Sequence, residues 1–221
     1  MPFSSVLGAS TLTKPGVATS ATRPANPFNG QVLYETDTAK IVSWNGSAWV
    51  YTAASGLVYL DGASFSAQTS FSTAAIFTAL YDNYKIIVNI TAASVHGAII
   101  QWRLRSGGSD NTTTDYLSAY TGTRTNTVAI EGIITDGLSF GRTAGMSDTV
   151  GAAGAFDILA PFLTAKTRMV GTIFGTTSGG NLAAYSGGIT FNATTSFDAA
   201  TFFPASGNFT GSYKVYGISN S

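Results

Sequence analysis

Serine-type nucleophilic catalysis needs a base held against the hydroxyl, and the one histidine of the chain, His96, sits in the turn-like stretch Ala93-Ser94-Val95-His96-Gly97 with no G-x-S-x-G elbow beside it. Paired carboxylates could cleave glycosides, and the acids that come close in sequence are Glu35 with Asp37, Asp110 with Asp115, and Glu131 with Asp136. Each pair borders turn residues, where Asp and Asn side chains satisfy local backbone donors, so turn chemistry is the expected role. Oxygens of Asp110, Asn111 and Asp115 in the Ser106 to Asp115 loop could surround calcium, but the spacing is not that of an EF-hand, and no metal is assigned. The stretches Gly151 to Gly154 and Thr176 to Gly180 lack a following Lys-Ser/Thr or helix start, so they read as loops rather than phosphate cradles. No catalytic residue and no cofactor are expected.

Aromatic side chains offer a different chemistry. Tyr116, Tyr120 and Tyr185 lie near hydroxyl- and amide-rich turns and are the candidates for stacking on a sugar, although inward packing is the simpler role for alternating strand residues. Trp44 and Trp49 flank Asn45-Gly46, a dipeptide whose two positions tolerate positive φ, and cross-strand packing over a hairpin is their expected role.

The elements that must position these residues are strands. Segments beginning Leu57, Lys85, Ile99, Tyr116, Val128, Arg168, Leu182 and Tyr213 are apolar or β-branched and are separated by turn residues. In Trp102-Arg103-Leu104-Arg105 one parity is apolar and the other charged. The spacing predicts an all-β chain, an antiparallel β-sandwich of jelly-roll-like type over 56–221, preceded by an extended arm at 1–26 and a small β-hairpin element at 27–55. Ser72 to Leu80 is the one stretch that reads as a helical turn. The arm contains Pro15 and Pro24 and carries Phe3, Val6, Leu7 and Leu12 as apolar anchors that a partner could bury.

Composition narrows the partners. Lys plus Arg and Asp plus Glu are eleven each, so no excess positive charge is available for nucleic acid or an anionic membrane. Charged residues are only 10% of the 221, against about 25% in typical globular chains, which suits a surface packed into an assembly. A homo-oligomer is expected, with a trimer favoured. The start of the chain lacks the pattern of a secretory signal and no run reaches the length of a membrane span, so synthesis in the cytoplasm is expected.

The segment Arg23-Pro24-Ala25-Asn26-Pro27-Phe28-Asn29-Gly30, continuing through Tyr34-Glu35-Thr36-Asp37-Thr38 to Trp44-Asn45-Gly46-Ser47-Ala48-Trp49, resembles one near the start of bacteriophage tail and fibre proteins. Phe77 to Ile87, Trp102 to Gly108 and the close at Gly207 to Ile218 also resemble phage virion proteins. This resemblance implies a non-enzymatic virion component, tail- or fibre-associated, that attaches to other tail, portal-proximal or capsid proteins through its N-terminal part. The docking role then falls on Phe3, Val6, Leu7, Arg23, Pro24, Tyr34, Glu35, Asp37, Trp44 and Trp49. Head-fibre or capsid-decoration roles, and a lectin-like module reading host surface polysaccharide, are the alternatives.

Overall fold

The computed structural model describes residues 16–51, 56–125, 127–129, 133–134, 145–146, 150–176 and 180–219. The chain divides into two units, Met1–Ala54 and Ser55–Ser221. All the regular elements among the described residues are strands.

The first unit is a four-stranded sheet of β1 (Gly16–Ala18), β2 (Val32–Glu35), β3 (Lys40–Trp44) and β4 (Trp49–Tyr51), in that order. Asn45-Gly46 makes the expected turn: Gly46 has φ 100°, and Asn45 Oδ1 accepts from the backbone of Ser47 and Ala48 at 2.9 Å. Trp44 and Trp49 face each other across it, edge to face at 5.7 Å. Of the extended arm expected over 1–26, the residues from Gly16 onward join this sheet. There β1 pairs in parallel with β2, and Ser20 and Arg23 are tied to Asp37 and Glu35.

The second unit is an antiparallel β-sandwich. Its remaining strands are β5 (Leu57–Gln68), β6 (Phe71–Ser72), β7 (Asn83–Ala93), β8 (Ala98–Ser106), β9 (Ser109–Asp110), β10 (Tyr116–Arg124), β11 (Thr127–Ala129), β12 (Ile133–Ile134), β13 (Gly145–Met146), β14 (Ala152–Leu159), β15 (Arg168–Thr176), β16 (Leu182–Phe191), β17 (Ala199–Pro204) and β18 (Phe209–Ile218). The large layer runs β5-β18-β7-β14-β15-β16-β10, with β11 and β12 on the free edge of β10. The small layer joins β8 to β9, β17 and β6. The short β13 pairs with both β15 and β8, so it links the layers at one side.

Strict alternation builds the core. Tyr84, Ile86, Val88 and Ile90 of β7 are buried, as are Ala98, Ile100, Trp102 and Leu104 of β8, while their neighbours point away. Rings then connect the layers. Phe71 lies 4.6 Å from Tyr213 and 4.8 Å from Phe202, and Trp102 lies 4.8 Å from Phe202 and 5.1 Å from Phe156. Arg105 pins the small layer, its Nη1 donating at 2.8 Å to Ser72 Oγ, Asp110 Oδ1 and Thr201 Oγ1 on three other strands.

Two local expectations are corrected. The helical turn over Ser72 to Leu80 does not form, because neighbouring chain claims its backbone donors: Thr73 N donates to Ala200 O and Phe77 N to Asp198 O, both at 2.9 Å. Ala152 to Gly154 is strand rather than loop, the start of β14, and pairs with β7 and β15.

Since Phe71 touches rings from both layers, Phe71→Ala is expected to cost the sandwich about 3–5 kcal/mol in urea unfolding. A loss under about 1 kcal/mol would mean that the ring stack does not hold the layers together.

Candidate docking face

In the four-stranded sheet the two parities separate two surfaces. Leu33, Glu35 and Val42 share one face and are buried. The connection from β1 to β2 carries Arg23 onto that face, where its Nε donates to Glu35 Oε1, and Thr38 Oγ1 donates to Glu35 Oε2 at 2.9 Å. The Glu35 carboxylate is wholly enclosed, and the hydrogen bond from Arg23 holds it below the usual carboxylate range. The same bond raises Arg23. Asp37 accepts from Ser20 N at 2.9 Å and from Ser20 Oγ at 2.5 Å, and the hydroxyl bond is the main cause of its lowered pKa. These charges fasten the segment that follows β1 to the β2–β3 turn.

The other face carries Val17, Tyr34 and Ile41 in one row and Val32, Ser43 and Val50 in the next. Val17 is 69% exposed, Ile41 47%, Val32 42%, Tyr34 38% and Val50 37%. None of these residues is charged. A sheet with one face against solvent ordinarily turns polar residues outward, and a contiguous apolar face marks an interaction surface.

The expected docking residues therefore divide. Tyr34 lies on the open face. Arg23, Glu35 and Asp37 bond to one another's segments within the unit, Pro24 is exposed on the connection, and Trp44 and Trp49 pack on each other. Phe3, Val6 and Leu7 lie outside the described residues. Sequence reasoning missed Val17, Val32, Ile41 and Val50. Their signal was present: in Val32-Leu33-Tyr34-Glu35 and Lys40-Ile41-Val42 both parities contain apolar residues, so neither face is plainly wet.

Two of the three sugar-stacking candidates, Tyr116 and Tyr120, are buried in the sandwich. Tyr116 is 1% exposed, with its ring against Phe191 and its hydroxyl donating to Asn111 O at 3.0 Å. Tyr120 is buried opposite Gly187, and the half-buried Tyr185 stands opposite Gly122, their rings edge to face at 5.7 Å. A Cβ on Gly187 would lie 2.6 Å from that of Tyr120, so these rings fill the space that the glycines leave.

Among the acids expected in turns, Asp37 and Asp110 serve as structural acceptors, and Asp115 accepts from Asn192 N through its backbone oxygen. Asp110 accepts from Arg105 and, at 2.6 Å, from Thr201, and Asn111 Oδ1 accepts from Thr113. His96 is exposed on the β7–β8 turn, and Glu131 and Asp136 lie outside the described residues. Among the described residues no three acidic or histidine side chains gather at one point. No protein-family model, no curated protein and no solved structure matches the chain.

Both Glu35 and Asp37 have folded pKa values below their ordinary ones. Their contribution is complete above the unfolded carboxylate range of about 4 and is lost as the pH falls through the lowered folded values. The exciton couplet of the Trp44–Trp49 pair in circular dichroism should fade over that acid range, and Glu35→Gln should weaken it at neutral pH and flatten the acid response. Identical acid profiles for the two proteins would show that this carboxylate does not hold the unit.

Proposed function

We propose that the chain is a non-enzymatic assembly component of a bacteriophage particle, tail- or fibre-associated, which docks through the open face of its four-stranded unit and presents its β-sandwich. The observation that carries this reading is the uncharged face of Val17, Val32, Tyr34, Ile41 and Val50, exposed on a sheet of only four short strands. A unit this small has little core of its own, and with neither disulfide nor assigned metal it gains most from burying that face on a partner. The resemblance of Arg23 to Trp49 to the N-terminal segment of tail and fibre proteins supports a virion protein as that partner. A head-fibre or decoration role would use the same docking surface at another place on the particle.

Replacing Tyr34 and Ile41 together by Asp puts two charges on the face, and burying an unpaired charge costs about 3–5 kcal/mol, so binding should weaken at least about 100-fold. Copies per particle, counted by quantitative mass spectrometry, should fall accordingly while the tryptophan couplet is kept. Wild-type incorporation of the double variant would overturn the docking reading, and immunogold labelling of wild-type particles separates tail from head.

A further inference from the structure

The large layer of the sandwich has one face against the small layer and one face uncovered. Register sets Tyr59, Tyr216, Lys85, Asp157 and Val170 in one line across that outer face, and Lys214, Ile87, Ala155, Thr172, Ser186 and Thr121 in the next. Leu57, Tyr59, Ile87, Val170 and Phe174 all lie on it and are 39% to 57% exposed. Lys85 and Asp157 neutralise each other at 2.6 Å. Lys214 in the second row and Arg168, one row beyond Val170, add the other charges, on stems long enough to lie along apolar surface with their heads in water.

The face has relief. Between β7 and β10 it sinks into a groove of about 720 Å³, where Ala153, Ala155 and Ala184 bring only methyl groups and no charged residue lines the wall. At the β5–β18 end Tyr59 and Tyr216 pack edge to face at 5.9 Å and form a ridge. One face thus carries both a ridge and a hollow.

We propose that this outer face is an interface between two copies of the chain related by a two-fold axis, with the Tyr59–Tyr216 ridge of each copy seated in the alanine-lined groove of the other. An isologous contact requires one surface to hold both complementary halves, and this one does. That is why a two-fold pair is proposed in place of the trimer expected from sequence. The area suffices: seven strands about 4.8 Å apart, with about seven residues each, give about 650 Å² per copy and about 1,300 Å² in total, within the range of stable interfaces. Lys85 and Asp157 cancel within each copy, so the repulsion between two such faces is confined to Lys214 and Arg168, whose long stems let their heads stay in water. The proposal rests on the assembly reading above, but its test needs no particle, so failure to pair and failure to dock are read separately.

The chain contains no cysteine, so single introduced cysteines report contacts cleanly. Full-length Tyr59→Cys and Thr172→Cys proteins, mixed and oxidised, should give predominantly the mixed disulfide dimer. In sedimentation velocity the wild-type chain should be a dimer. Ala155→Arg in the groove should weaken pairing at least about 100-fold, the scale of burying an unpaired charge, with an unchanged circular dichroism spectrum. Tyr59→Lys, at an exposed position where folding is not at stake, should do the same. The proposal is overturned by a wild-type monomer or trimer, by a dimer indifferent to both substitutions, or by a monomer whose groove instead binds neutral polysaccharide.

Discussion

Five aromatic rings, Tyr213, Phe71, Phe202, Trp102 and Phe156, form a continuous chain of contacts from the large layer through the small one and back, with successive centroids 4.6 to 5.1 Å apart. With no cysteine and few charges, this packing is what fixes the two layers on one another. It also fixes parity. Once Tyr213, Trp102 and Phe156 point inward, every strand that carries them has its other set of residues committed to the outside, because a slip by one residue would exchange the faces. The composition of the outer face follows from the core.

That parity was readable where it was chemically marked. The run Trp102-Arg103-Leu104-Arg105 and the segments around Lys85 and Tyr213 alternate visibly, and the strands they predict are present as β8, β7 and β18. Among the strands longer than three residues, two were not readable. In β14, Ala152-Ala153-Gly154-Ala155 has neither β-branched residues nor contrast between parities, and it becomes a strand because β7 and β15 on its two sides supply the hydrogen bonds. In β17, Ala199 to Phe202 is buried without alternation and ends at Pro204, a residue that argues against a strand unless it stands at an end. Phe77 is a core residue for the same kind of reason: the bond from its N–H to the Asp198 carbonyl, distant in sequence, overrides a local helical pattern.

The candidate site was less legible than the fold because the eye is drawn to charge. Arg23, Glu35 and Asp37 stand out in a chain that is only 10% charged, yet they are scarce because they are structural, each answering a specific donor or acceptor inside the unit. The face left for a partner is made of ordinary valines and an isoleucine, which look like core in a linear reading. Only register shows that Val17, Tyr34 and Ile41 share a row, and all three are exposed. Tyr116 and Tyr120 illustrate the converse. Placed near polar turns in the sequence, they are drawn inward by Phe191 and Gly187, partners some 70 residues later that no local pattern reveals.

The two open faces differ in what they can do alone. Four strands of three to five residues offer about 250 Å² on one side, well short of the total of about 1,000 Å² that a specific contact generally buries. A single four-stranded unit would therefore hold a partner weakly. Joining two chains through the larger sandwich face changes the arithmetic without adding any contact to the docking face, because the second unit then binds at a high effective concentration once the first has engaged. The low charge of the chain is consistent with that proposed arrangement: a surface with little self-repulsion is a liability for a free monomer, and it would cease to be one with its apolar faces taken by a second copy and a docking partner.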